Sequence, residues 1–214
     1  MTTPLVVVGA GGFGREVLDV VESINSNATR PLFELLGVLD TSPSELNRTR
    51  LRARGVDYLG SEADWLASGN AASYVIAIGT PGTRAAVQSA FHEAGFSAAT
   101  LIHPDAVLGS QLTIGDGSVI CGGVQISTNV TLGRHVHVNP SATIGHDSII
   151  ENFVSVNPGA IVSGDVRVRR CSLVGAGAVV LQGLEVGPFA TVGAAACVVN
   201  DVPPNSIVKG VPAR

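Results

Sequence analysis

At 214 residues, 45% hydrophobic but only 4% aromatic, the chain has room for one or two domains and shows no apolar run of bilayer length. A formal net charge of −4 gives no basic footprint for nucleic acid, and aromatic stacking platforms are scarce. Cys121, Cys171 and Cys197 lie 50 and 26 residues apart, outside metal-ligand spacing, and an odd count argues against a disulfide framework.

Met1 leads directly into a strand-like segment without a basic leader or cleavage pattern, so a cytoplasmic protein is expected. Leu5 to Val8 reads as a short buried strand. Gly9-Ala10-Gly11-Gly12-Phe13-Gly14 follows, and then an amphipathic helix, Arg15 to Ser23, with Val17, Val20, Val21 and Ile24 at helical spacing. A second strand, Leu35 to Leu39, ends in Asp40. A third, Tyr74 to Ile78, ends in Gly79-Thr80 and runs into a helix from Thr83 to Ala94. These elements predict a small Rossmann-like α/β domain over residues 1–101, with its loops at the carboxyl ends of the strands, where such sheets bind ligands.

A glycine-rich strand-to-helix turn holds phosphate because backbone N–H groups and the helix N-terminus face the anion. Gly9, Gly11 and Gly14 match the dinucleotide fingerprint, and Asp40 lies where an acid can hydrogen-bond a ribose. The half-sheet is too short for a full dinucleotide site, which favours a nucleotide-sugar over a redox cofactor. A purely structural turn is the alternative.

From Ala106 to Asp201 sixteen consecutive hexapeptides place an aliphatic residue at the third position, from Leu108 and Ile114 to Val192 and Val198. Neither helix nor plain strand alternation has a strict period of six. A parallel β-helix with one hexapeptide per flat face does, and three faces make a coil of eighteen residues. First positions are small or aliphatic, and Gly, Asn or Asp at the fourth to sixth positions are expected to supply positive φ. Residues 102–214 thus form a β-helix domain with a C-terminal tail. Its ninety-six repeat residues carry only ten charges, so burial against sister chains is expected, with a trimer as the natural closed assembly.

His92 falls on a surface helix and His103 in the linker. His135 and His137 do not match the spacing of a bridging zinc site, and no metal is expected. His146 differs: it occupies the fifth position of its hexad, in a turn that projects outward, and its coil-mate eighteen residues later is Gly164. An imidazole beside an unobstructed backbone N–H is the minimum equipment for acyl transfer, one accepting a proton and the other stabilising the carbonyl oxygen. A corner histidine bonded to a neighbouring loop is the structural alternative. An ice-binding ladder fails, because the second positions lack a stack of threonines. A nucleotide-sugar-binding scaffold without catalysis stays open.

Gly9 to Gly14, Asn139-Pro-Ser-Ala-Thr-Ile-Gly-His146-Asp147, Asn157-Pro-Gly-Ala160 followed by Gly164, and the closing Val208-Lys209-Gly-Val-Pro-Ala-Arg214 resemble the sialic acid O-acetyltransferase-like branch of hexapeptide acyltransferases. That branch includes N-acetyltransferases acting on nucleotide-linked 4-amino-sugars. The resemblance covers essentially the whole chain and implies a left-handed β-helix, a homotrimer with active sites between subunits, and acetyl-CoA as co-substrate. It makes His146 the general base and Asp147 the acid that activates or orients it. Gly164 would offer its N–H to the thioester, and Asn139 would line the acceptor pocket. Ser155, where a histidine is common, and Ala176, Ala194 and Lys209 would contact coenzyme A. Gly11, Gly12, Phe13, Asp40, Thr41 and Gly79 would hold the nucleotide-sugar. The implied reaction is N-acetylation by direct transfer; hydroxyl acetylation is the competing outcome, since the same base can activate an alcohol.

Overall fold

The computed structural model describes residues 2–214 and divides into two compact units, Met1–Leu101 and Ile102–Arg214. The first is a three-stranded parallel sheet in the order β2-β1-β3, formed by β1 (Thr3–Val8), β2 (Phe33–Leu39) and β3 (Ser73–Ile76). Leu5, Val6, Val7 and Val8 are buried because the central strand has apolar neighbours on both faces. Helix α1 (Gly12–Asn27) buries Val17, Leu18, Val20, Val21 and Ile24. It starts three residues before the expected helix and ends four after it, taking in Gly12 and Gly14 at one end and the buried Ile24 at the other. The expected third strand stops at Ile76 rather than Ile78. Just beyond it, Ile78 and Gly79 offer their carbonyls to the side chain of the buried Arg84.

Two short helices not read from the sequence, α2 (Glu45–Ala53) and α3 (Glu62–Ala67), lie between β2 and β3, and α4 (Pro81–Glu93) follows. Both short helices open on a serine cap, Ser44 accepting from the Asn47 N–H at 3.2 Å and Ser61 from the Asp64 N–H at 3.1 Å. Each buries only one large residue, Leu51 and Trp65 respectively, so neither shows an apolar stripe.

The second unit is a parallel β-solenoid of about six turns, whose strands are two residues long and form three sheets of seven, six and five strands. The seven-stranded face runs from Leu101–Ile102 through His137–Val138 and Ser155–Val156 to Ile207–Val208. The six-stranded face runs from Val107–Leu108 to Cys197–Val198, and the five-stranded face from Thr113–Ile114 to Glu185–Val186. Residues one coil apart pair directly, as in Thr143 with Ile161 and His137 with Ser155. This is the three-faced architecture read from the hexads, consistent with a left-handed β-helix. First and third positions such as Val136, Val138, Ala142, Ile144, Val162 and Val180 fill the axis without exposure, each large aliphatic contributing about 2 kcal/mol by burial. The period ends after Asp201: Thr191 pairs with Ile207, two residues short of a full coil, across Pro203-Pro204.

Turn geometry corrects one expectation. Positive φ is confined to the sixth position of each hexad, from Gln111 to Ala195, and non-glycine residues there hold φ between 54° and 62°. Glycine at the fourth position serves a different end. A Cβ on Gly145 would stand 2.5 Å from the Gly164 nitrogen, because the next coil's peptide crosses directly over that Cα.

Candidate active site

The chain reverses direction across the first sheet at the carboxyl end of β1, since β2 and β3 flank β1 on opposite sides. That switch point carries the glycine loop. Gly9 holds φ +115°, and a Cβ on Gly14 would collide with the Gly9 carbonyl, so helix and strand meet only if both are glycine. At Gly11, Gly12 and Gly79 an added Cβ would meet nothing within 4 Å, which leaves backbone open to a ligand. Asp40, at the end of β2, accepts the Ala10 N–H at 2.8 Å through Oδ2 and the Ser42 N–H at 2.9 Å through Oδ1. It therefore ties the glycine loop to the loop after β2 while each oxygen keeps a second lone pair. Thr41 donates to Glu62 at 2.5 Å, and Phe13 lies half-buried in the first turn of α1. A groove of about 640 Å³ lined by Leu66, Ala72, Ala94 and Phe96 sits at the opposite, amino end of the sheet, away from these residues.

Along the β-helix, fifth-position residues stack into edges. The edge between the six- and five-stranded faces carries Ser110, Thr128, His146, Gly164, Gln182 and Asn200. His146 projects outward with its side chain 62% exposed, and its Nδ1 meets Asp147 Oδ2 at 2.7 Å. Its ring lies over Gly164, where a Cβ would come within 2.6 Å of both Cε1 and Nε2. The Nδ1 contact assigns the donor proton to Nδ1 and leaves Nε2 as the basic atom on the Gly164 side. Asp147 is clamped twice, because its Oδ1 accepts from Asn129 Nδ2 at 3.1 Å. The hydrogen bond from His146, and then the one from Asn129, hold its carboxyl below the ordinary carboxylate range. Gly164 gives its carbonyl to the Gly183 N–H, and no backbone carbonyl among the described residues accepts its own N–H.

Asn139 is nearly buried and donates through Nδ2 to Asn157 Oδ1 at 3.1 Å, which leaves its Oδ1 as an acceptor. Both asparagines border a second edge, between the seven- and six-stranded faces, where Pro140, Pro158, Ala176 and Ala194 stack and the two alanines are exposed. Lys209 continues that edge: its Cβ lies 3.1 Å from where a Cβ on Gly193 would stand. Ser155 is buried between His137 and Leu173 on the adjoining seven-stranded face. His146 and the Ala176–Ala194 edge thus occupy opposite borders of the six-stranded face. Between them the outward residues are Val107, Gln125, Thr143, Ile161, Val179 and Cys197, all uncharged.

The sequence reading missed Asn129 and gave Asn157, though part of a motif it quoted, no role of its own. The available signal was coil spacing, since each lies 18 residues from a residue already singled out. Arg167 and Arg169 are committed to Glu151, at 3.2 and 3.1 Å, and Arg170 lies over the Phe189 ring. Among the described residues no group of three His, Cys, Asp or Glu is arranged to hold a metal ion, and no helix is long and apolar enough to cross a membrane.

A glycine-loop α/β unit followed by a hexapeptide-repeat β-helix is the architecture that the sequence resemblance to hexapeptide acyltransferases implies. Residues 4–91 match the PglD N-terminal domain family. The acetyltransferase domain of PglB from Neisseria gonorrhoeae, solved with acetyl coenzyme A, is 30% identical and superimposes with a TM-score of 0.87, covering 100% of this chain and 99% of that one. PerB from Caulobacter crescentus, solved with CoA and GDP-perosamine, is 26% identical with a TM-score of 0.87 over 99% of this chain and 96% of that one. GDP-perosamine N-acetyltransferase from Escherichia coli O157:H7 is 29% identical over 147 residues, 69% of this chain but only 64% of that relative's length. Residues 4–91 belong to the PglD N-terminal domain family, and the chain as a whole is homologous to the nucleotide-sugar N-acetyltransferases of the hexapeptide-repeat branch.

Proposed function

We propose that the protein transfers the acetyl group of acetyl-CoA to the amino group of a nucleotide-linked 4-amino-deoxy-sugar. The observation that carries this reading is the His146 imidazole, tied through Nδ1 to Asp147 and presenting Nε2 beside Gly164. The relatives solved with acetyl-CoA, or with CoA and GDP-perosamine, support the choice of co-substrate and acceptor class. The open loop at Gly11, Gly12 and Gly79, with Phe13, Asp40 and Thr41 around it, receives the nucleotide. Coenzyme A runs along Ala176 and Ala194 toward Lys209, with Ser155 on the adjoining face.

Transfer is direct. Nε2 of His146 takes a proton from the acceptor amine as its nitrogen attacks the thioester carbonyl, and the Gly164 N–H stabilises the negative charge that develops on oxygen. The carbon–sulfur bond then breaks, and the imidazolium returns the proton to the departing thiolate. Asp147 stabilises the imidazolium while it exists.

The positions of the two edges support a site shared between copies. Within one chain the uncharged six-stranded face separates His146 from the coenzyme A edge. A neighbour turned about an axis parallel to the β-helix brings its Ala194 edge to His146. Repeating that contact around a three-sided unit closes a trimer.

The test is coenzyme A thiol release with UDP-, dTDP- and GDP-linked 4-amino-sugars, using native protein and His146→Ala. Native protein is expected to turn over one of them, and the variant to lose at least about 100-fold in kcat with acetyl-CoA binding retained. Release with a hydroxyl acceptor alone would convert the reading to O-acetylation. Near-native turnover by His146→Ala would refute the mechanism.

A further inference from the structure

We infer that Asn129, one coil below the Asp147 turn, is a positioning residue for the proposed transfer: its side-chain amide locks the Asp147 carboxylate and thereby fixes the tautomer of His146. This inference rests on the reading of His146 as base. Asn129 and Asp147 both occupy sixth positions, with φ of 57° and 61°, so the same left-handed backbone aims both side chains out of the same edge. Nδ2 of Asn129 donates to Oδ1 of Asp147 at 3.1 Å, while Oδ2 of Asp147 meets His146 Nδ1 at 2.7 Å. Each carboxylate oxygen therefore has its own partner, and rotating the carboxylate would break both bonds.

A carboxylate fixed in that plane accepts from an Nδ1–H imidazole, which places the lone pair on Nε2, the atom beside Gly164. The titratable groups around Asp147 are His146 on its own turn and Asp165 one coil above, whose N–H bonds the His146 carbonyl at 2.8 Å. The coil below presents the neutral side chains of Asn129 and Gln111. Asn129 donates its side-chain hydrogen bond to Asp147 without itself titrating. Loss of its amide would raise the Asp147 carboxyl toward its ordinary value.

Two variants separate this role from a structural one. Asn129→Gly removes the amide without straining a positive-φ residue, whereas alanine would strain it. Asn129→Asp keeps the shape but sets a second carboxylate against Asp147. Expected for Asn129→Gly is a fall of about 10-fold in kcat with an unchanged KM for acetyl-CoA. Asn129→Asp should fall further. Nitrogen NMR of the His146 ring in the full-length protein should show the Nδ1–H share dropping in both variants, and this readout does not depend on the acceptor being known. Native kcat and an unaltered tautomer ratio in both variants would overturn the inference, as would a loss seen only in KM. If native protein transfers no acetyl group to any amino-sugar, the functional reading fails, while the tautomer ratio still decides the role of Asn129.

Discussion

Gly164 matters for what it lacks. Any side chain there would occupy the space of the His146 ring, and its φ lies outside the left-handed region, so alanine meets no backbone strain. Gly164→Ala therefore tests the ring position and the access to the N–H beside it, without backbone strain. We expect kcat to fall about 100-fold, the cost of displacing a reacting group by roughly 1 Å, with the thermal midpoint within about 3 °C of native. Near-native kcat would show that the imidazole does not act from this position. The pairing of His146 with Gly164 was legible because a period of eighteen fixes which residues are stacked. Asn129 obeys the same period yet was not read, because its part depends on a left-handed backbone at the sixth position that aims it at Asp147. The sequence pattern spread positive φ over three turn positions, which hid that direction.

At the scale of elements, the charges of the β-helix repeat lie on the five-stranded face and its two borders. Glu151 accepts from Arg167 Nε at 3.2 Å, Arg169 Nη1 at 3.1 Å and the Arg170 N–H at 3.0 Å. Arg169 also reaches Glu185 at 2.7 Å on the next strand of that face. Burial raises the Glu151 pKa, but the bonds from Arg170, Arg169 and Arg167 outweigh it and leave the carboxyl below its ordinary 4.5. A carboxyl lowered in the folded state contributes stability that is full above the unfolded value and disappears as pH falls through the folded one. Glu151→Gln should thus cost about 1 kcal/mol in urea unfolding at pH 7, with the gap to native closing below pH 4.5. A gap that stays constant across that range would show that the carboxylate charge plays no part. The sequence displayed the strands of this face clearly, because third-position aliphatics declare themselves. It did not display α2 and α3: a helix held by a serine cap and one buried residue has no periodicity to read. Their capping serines, three residues before Asn47 and Asp64, were the usable signal.

For the whole molecule, the decisive relation lies between the two edges of the six-stranded face. Composition already pointed to a partner surface somewhere on the β-helix, since a surface poor in charge is a surface for a partner. The hexad pattern alone could not say which face was involved, because that required knowing on which borders His146 and Ala194 fall. In the proposed trimer, their placement would make each chain half of two sites. The most direct measurement is complementation between two inactive chains, His146→Ala and Ala194→Trp, compared singly and co-expressed in the thiol-release assay. With equal expression and random assembly, about a quarter of the sites should pair a native His146 with a native Ala194 edge from the neighbour, and activity should return to roughly that level. Mixed preparations no more active than the sum of the single ones would contradict the account, because base and coenzyme A would then meet within one chain.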